Sequence, residues 1–294
     1  MTTRRSFLKT SALLSASAFI LPSVFAEEKK FIGLQLYTVR DLMKSDPKGT
    51  LSQVSKIGYN SVEAAGYTGD GLFYGFEPKE FSKILLDNGL VLHSSHYRYG
   101  EDKMEGRDVY GTILHGWDKA VEDAAQAGAK YMVCAYLSNS ERGNIEHYKS
   151  VAEALNTAGE ISKKSGIQLC YHNHDFEFEK QEDGLPYQVL LRNTENDLVK
   201  FEMDMYWVSK AGHNPVELFK AHPHRFPLWH VKDMAKTEKR EFTEVGNGSI
   251  DFKNIFANAK ISGMKYFFVE EDICPGSPLD SITTSMGYIK SHLV

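Results

Sequence analysis

Ile167-Gln168-Leu169-Cys170-Tyr171 runs directly into His172-Asn173-His174-Asp175-Phe176-Glu177, a near-continuous apolar stretch followed at once by histidines and acids. A run of this length and composition reads as a strand buried on both faces, as strands are in a parallel sheet covered by helices. Seven further runs of the same kind occupy residues 31–36, 61–65, 90–94, 131–135, 199–203, 228–231 and 266–269.

Between the runs lie amphipathic stretches with recognisable ends. Asp46-Pro47 opens a helix with proline in its first turn, and Leu51, Val54 and Ile57 then fall on one face. Residues 80–87 stop at Asn88-Gly89, 112–127 at Gly128, and 144–164 at Ser165-Gly166. Asn214-Pro215 and Asp280 begin two more. Eight strands alternating with helices, with no hairpin signal between them, predict an α/β fold, a single closed (β/α)₈ barrel. An open doubly wound sheet is the alternative, since strand count alone does not show closure. The absence of a glycine-rich fingerprint after the first strand weakens its dinucleotide-binding version.

The chain begins with a basic stretch containing Arg4-Arg5, an apolar run over residues 11–21, and the small-residue site Val24-Phe25-Ala26. That order predicts a cleaved export signal over residues 1–26, of twin-arginine or general secretory type, and a periplasmic protein. The run is shorter than the ~20 residues needed to span a bilayer, so no stable membrane insertion is expected. Residues 27–294 then form one domain, close to the ~250 residues of a typical α/β barrel. Loss of Arg4, Arg5 and Lys9, and of no acid, moves the formal charge from −5 to −8. With no basic cluster left, nucleic acid is not an expected partner. A small carbohydrate suits the balance, and self-association into a homo-oligomer is compatible with it. Cys134, Cys170 and Cys274 form no CxxC motif; the first two sit in apolar runs and read as packing residues.

In such barrels chemistry collects at the C-terminal ends of the strands. There the sequence places Gln35, Tyr37 and Arg40; Glu63; His93 and His96; His172, His174 and Glu177; Glu202, Asp204 and Trp207; His230, Lys232 and Asp233; and Glu270, Glu271 and Asp272. Carboxylates and histidines without thiolates suit one divalent ion, Mn²⁺ first, with Mg²⁺, Co²⁺ or Zn²⁺ as alternatives. His93 is read as a packed histidine turned away from His96, and Glu202 as facing the helices. Gln35, Tyr37, Trp207, Lys232 and Lys236 are the candidate substrate-binding residues.

The segments Gly33-Leu34-Gln35-Leu36-Tyr37-Thr38-Val39-Arg40, Tyr171-His172-Asn173-His174-Asp175-Phe176-Glu177-Phe178, His230-Val231-Lys232-Asp233 and Val245-Gly246-Asn247-Gly248-Ser249-Ile250-Asp251-Phe252 together resemble the xylose isomerase-like TIM-barrel superfamily. It includes sugar isomerases and epimerases, inosose dehydratase and endonuclease IV. The resemblance implies metal ligands at Asp204, His230 and Glu270, with Glu271 as a substitute for the last. Where the epimerases carry a strand-five glutamate ligand, this chain has His172, which can still coordinate through a ring nitrogen and is the fourth expected ligand. That departure removes one of the two opposed carboxylates of the epimerase mechanism and resembles the histidine-rich strand of inosose dehydratases. The fuller histidine set of endonuclease IV is missing, which argues against DNA repair.

The implied chemistry is metal-assisted proton abstraction beside a sugar carbonyl, giving an enediolate. A lyase or dehydratase acting on a keto-sugar or keto-glycoside is expected ahead of a ketose isomerase or epimerase. Glu63, His96 and His174 are the candidate bases, with Glu177 next. A carbohydrate-binding barrel without catalysis is the contrasting class.

Overall fold

The computed structural model describes residues 31–294 with the exception of Glu101 and Glu105; the export signal expected over residues 1–26 lies outside the described residues. Eight parallel strands form the barrel, labelled here β1 (Gly33–Gln35), β2 (Ser61–Ala64), β3 (Val91–Arg98), β4 (Tyr131–Tyr136), β5 (Gln168–His172), β6 (Val199–Asp204), β7 (Leu228–Val231) and β8 (Tyr266–Val269). Each pairs with the next in sequence, and β8 returns to β1 with Phe268 opposite Gly33 and Val269 opposite Leu34. The barrel is closed, which excludes the open sheet. A side chain at Gly33 would run into the ring of Phe268, so the closing seam requires glycine.

The helices follow the expected punctuation. Asp46 accepts a hydrogen bond from Gly49 N and caps Pro47–Ile57, whose Leu51 and Val54 are buried and which ends at Gly58 in the left-handed region. Asn144 and Asn214 cap Ile145–Lys164 and Pro215–Ala221 in the same way. Three helices start elsewhere than expected, Pro78–Asp87 two residues early. Trp117–Ala127 begins five residues after Thr112, behind a left-handed Gly116, and Pro278–His292 begins with its proline. Two short antiparallel ladders were not foreseen: Lys103–Met104 with Arg107–Asp108, and Asp233–Met234 with Phe242–Thr243. Among the described residues no helix is long and apolar enough to cross a membrane.

Alternation along the strands sorts side chains into two compartments. Phe201, Met203, Tyr171 and Trp229 point outward into the main core beneath the helices. Val133, Cys170, Leu228 and Phe268 form a separate apolar layer, with Tyr131 and Tyr266 against it. Each side chain of that layer contributes roughly 1.5–3 kcal/mol by leaving water. Cys134 lies in the main core and Cys170 in the inner layer, so both serve packing as expected.

One irregularity shapes the interior. Val62 pairs with Leu92 but Glu63 with Ser94, so His93 is an extra residue on β3. The bulge overturns the reading that His93 turns away from His96. His93 Nδ1 lies 2.7 Å from Ser61 Oγ, and His96 Nε2 lies 3.1 Å from Glu63 Oε2. Ser61 and Glu63 are two residues apart on one strand and share its face. Both histidines therefore point inward, at different depths. His93 is indeed packed: its ring stacks on Tyr266 at 3.9 Å and meets Phe31 edge-on at 4.6 Å.

Candidate metal centre

Above the apolar layer, the strand ends bring Gln35, Glu63, His172, Glu202 and His230, all buried, and the part-exposed His96 into one tier. Glu63 Oε2 accepts from Gln35 Nε2 at 2.7 Å and faces His230 Nε2 at 2.6 Å. Glu202 Oε2 faces His96 Nε2 at 2.8 Å, His172 Nδ1 at 3.0 Å and His230 Nε2 at 3.2 Å. Glu202 does not face the helices. It is two residues from Asp204, and residues i and i+2 share a face, so a correct count of the alternation places both inside.

Two residues further along the strands stands a second tier. Lys232 Nζ lies 2.9 Å from Asp204 Oδ2, 2.7 Å from Glu270 Oε2 and 2.6 Å from Asp272 Oδ2. His230 Nδ1 reaches Glu270 Oε2 at 2.8 Å and Asp204 Oδ2 at 3.9 Å, and His172 Nε2 reaches Asp204 Oδ2 at 3.6 Å. The four expected metal ligands thus divide. Asp204, His230 and Glu270 form one group with donor atoms within 4.8 Å of one another; His172 joins His96, Glu202 and His230 in another, and touches the first through Asp204. Donors bound at about 2.1 Å to one ion stand about 3–4 Å apart. Asp204, His230 and Glu270 at these spacings fit a divalent cation, with His172 adjoining them through Asp204.

The electrostatics follow from burial and crowding. Burial favours neutral His172, reinforced by His230 and His174, and holds its imidazole well below the usual range, with a lone pair available. Burial also penalises the charged form of His96, but Glu63 and Glu202 outweigh it and raise that ring to about 9. Burial and the Glu63 charge push Glu202 up to about 7. Lys232 is driven well above its ordinary value despite burial, because Asp204, Asp272 and Glu270 surround it.

Local structure fixes these groups. Asp204 splits its carboxylate: Oδ1 accepts from Trp207 N at 3.0 Å, capping the helix Met205–Lys210, and Oδ2 turns to the cluster. Asn173 Oδ1 accepts from Asp204 N at 3.1 Å, tying the end of β5 to β6. The Asp233 carboxylate accepts from the backbone N–H groups of Met234, Gly246, Gly248 and Ile250. The His-Val-Lys-Asp and Val-Gly-Asn-Gly segments are therefore one unit that anchors the loop beyond Lys232.

The remaining expectations fare unevenly. Gln35 is not free for substrate, because its amide is occupied by Glu63 and by Tyr37 N. Tyr37 is exposed at the rim, with the Arg40 guanidinium 4.3 Å above its ring. Trp207 stands near the second tier, with Lys232 Nζ 5.8 Å from its ring and His174 and Phe242 at 5.4 and 5.6 Å. His174 Nδ1 and Trp207 Nε1 are buried polar atoms without a hydrogen-bond partner. Lys236 is exposed and joins no ion pair of the cluster. Glu177 does not reach the site. It sits in the turn Phe176–Phe178, where Oε1 accepts from Tyr171 OH at 2.7 Å and Oε2 from His174 N at 2.8 Å. Glu271, one residue past Glu270, turns instead toward Glu244, with its backbone N on Thr38 Oγ1. Glu63 belongs to the deeper tier and is fully buried, whereas His96, in contact with it, is part-exposed. The sequence reading named Glu202 but turned it toward the helices, named Lys232 and Asp272 without pairing them, and gave Asn173 no role.

Comparison with known proteins places this geometry in context. A curated inosose dehydratase from Clostridium botulinum is 29% identical over 204 residues, 62% of this chain and 68% of that protein. The chain spans about two thirds of the length of such relatives, 65% for the Clostridium perfringens enzymes. A crystal structure of a sugar phosphate isomerase/epimerase from Parabacteroides distasonis superposes with a TM-score of 0.75 at 30% identity, covering 89% of this chain and 94% of that one. IOLI protein with a binding zinc atom shares the fold at 15% identity and a TM-score of 0.69, over 90% and 98% of the two chains. The family model described as xylose isomerase-like TIM barrel matches residues 51–292, and the chain belongs to that family.

Proposed function

We propose that this protein is a divalent-metal-dependent carbohydrate enzyme that abstracts a proton beside a sugar carbonyl and then eliminates a β-substituent, as a keto-sugar or keto-glycoside dehydratase or lyase. The observation that carries the reading is the group Asp204, His230 and Glu270, which His172 adjoins through Asp204, with Lys232 at its edge. The inosose dehydratase relatives support it. A bound divalent ion, Mn²⁺ by preference, supplies Lewis-acid polarisation of the carbonyl.

The protein's own groups do the rest. His174, kept neutral by burial and by Lys232, has a buried, unpartnered Nδ1 on a ring beside Trp207 and accepts the proton. Lys232, held charged by three carboxylates, donates a hydrogen bond or proton to the departing oxygen. Trp207 supplies a flat face for the sugar ring. The three carboxylates around Lys232 leave it poorly suited to a phosphate, which agrees with an exported enzyme and an unphosphorylated substrate.

Epimerisation is the second reading, favoured by the Parabacteroides relative. It needs a second carboxylate on the opposite face of the sugar, and Glu177 spends both its oxygens elsewhere. Incubating metal-loaded protein with 3-keto-glycosides in D₂O separates the two. Elimination releases aglycone or water and leaves an unsaturated ketone. Retention of every atom with C–H exchanged for C–D would replace the lyase reading by the epimerase one.

A further inference from the structure

His172 and His230 each stand between two tiers of carboxylate. On His230, Nε2 faces down to Glu63 Oε2 at 2.6 Å and Nδ1 faces up to Glu270 Oε2 at 2.8 Å. On His172, Nδ1 faces down to Glu202 Oε2 at 3.0 Å and Nε2 faces up to Asp204 Oδ2 at 3.6 Å. An imidazole that binds a cation through one nitrogen carries its proton on the other, and a carboxylate on that side fixes the tautomer.

The two tiers are not equivalent in reach. Glu63 and Glu202 are 0% exposed and rest on the apolar layer, whereas Glu270 keeps 5% and its tier continues to Asp272 and Trp207. Glu63 is further pinned by Gln35 Nε2, and His96 Nε2 lies between Glu202 Oε2 at 2.8 Å and Glu63 Oε2 at 3.1 Å. The deeper carboxylates are thus placed to accept N–H groups, out of contact with a sugar. We infer that Glu63 and Glu202 are positioning residues: they hold the proton of His230 on Nε2 and that of His172 on Nδ1, so that His230 Nδ1 and His172 Nε2 are presented to the cation as lone pairs. His96, part-exposed, ties the two carboxylates together through Nε2. This inference rests on the metal reading above and goes beyond it, because it moves Glu63 from the reacting atoms to the support beneath them.

The test uses the full-length protein and Zn²⁺ alone. Glu63→Gln and Glu202→Gln should each weaken Zn²⁺ binding about 10- to 100-fold. The melting temperature of the metal-free protein should stay the same or rise, a combination a merely structural role would not give. In the Zn²⁺-loaded wild type, ¹⁵N histidine spectra should show His230 metal-bound at Nδ1 and protonated at Nε2, and His172 metal-bound at Nε2 and protonated at Nδ1. This readout needs no variant to fold. The reversed tautomers, or unchanged affinity in both variants, would overturn the inference and leave the metal reading standing. A wild type that binds no Zn²⁺ would remove both.

Discussion

His93 and His96 lie three residues apart on β3, both inside the barrel, and behave oppositely. His93 lies at the lower end, packed between Phe31 and Tyr266, where burial and Lys130 push it down to about 4. His96 lies above the apolar layer, where Glu63 and Glu202 lift it to about 9 against the effect of burial. One side-chain type on one strand is neutral in one compartment and charged in the other. Burial alone therefore does not set protonation in this barrel; what separates these two histidines is the pair of carboxylates, Glu63 and Glu202, that His96 touches and His93 does not.

The strongest way to break the comparison is to remove the upper tier. His230→Ala and Asp204→Asn should each lose the metal and all measurable turnover, with metal content read by elemental analysis and the fold by circular dichroism. Chelation of the wild type should do the same. Metal retained in His230→Ala would detach the upper compartment from the function proposed for it.

The next effect separates the two histidines by pH. His93 has a folded value below its unfolded 6.5, so its contribution is present above pH 6.5 and is lost as pH falls through about 4, on the order of 3 kcal/mol in all. His96 has a raised value, so in metal-free protein its contribution is full below 6.5 and disappears as pH rises through about 9. Urea melts of the wild type against His93→Gln should diverge on the acid side and run parallel at neutral pH. Parallel curves throughout would show that the lower compartment does not keep His93 neutral.

Smaller effects sharpen the boundary of the site. Trp207→Phe removes the indole N–H and weakens the platform beside Lys232; a loss of about 1–2 kcal/mol corresponds to a roughly tenfold rise in KM with kcat little changed. A fall in kcat alone would make Trp207 part of the chemical step. Glu177→Gln should alter turnover by less than about twofold, because that carboxylate serves the turn after β5. A large loss would return Glu177 to the list of bases.

Most of the barrel was legible because buried parallel strands write themselves as short apolar runs, and seven of the eight begin and end within about two residues of expectation. β3 ran longer: its pairing with β4 continues to Arg98 opposite Tyr136 across a second register shift that leaves Ala135 of β4 unpaired. The upper tier was legible from position, as strand ends carry function in this fold. The deeper tier was half legible: Glu63, His96 and His172 were named, but their roles depend on which ring nitrogen faces which carboxylate. Glu177 and Lys236 were misplaced because loop direction is set by contacts such as Tyr171 OH, which spacing does not encode.

The layer of Val133, Cys170, Leu228 and Phe268 has a bearing on timing. Among the described residues it fills the barrel's interior below the two-tier cluster with apolar side chains, leaving the strands' C-terminal side as the approach. Protons and metal must then arrive and leave by the door the sugar uses, and a seated sugar is also the stopper. Exchange with bulk solvent becomes a property of the empty enzyme, clocked by product departure. A catalytic cycle in this barrel is accordingly a queue at one doorway, in which cation, proton and substrate cannot trade places freely.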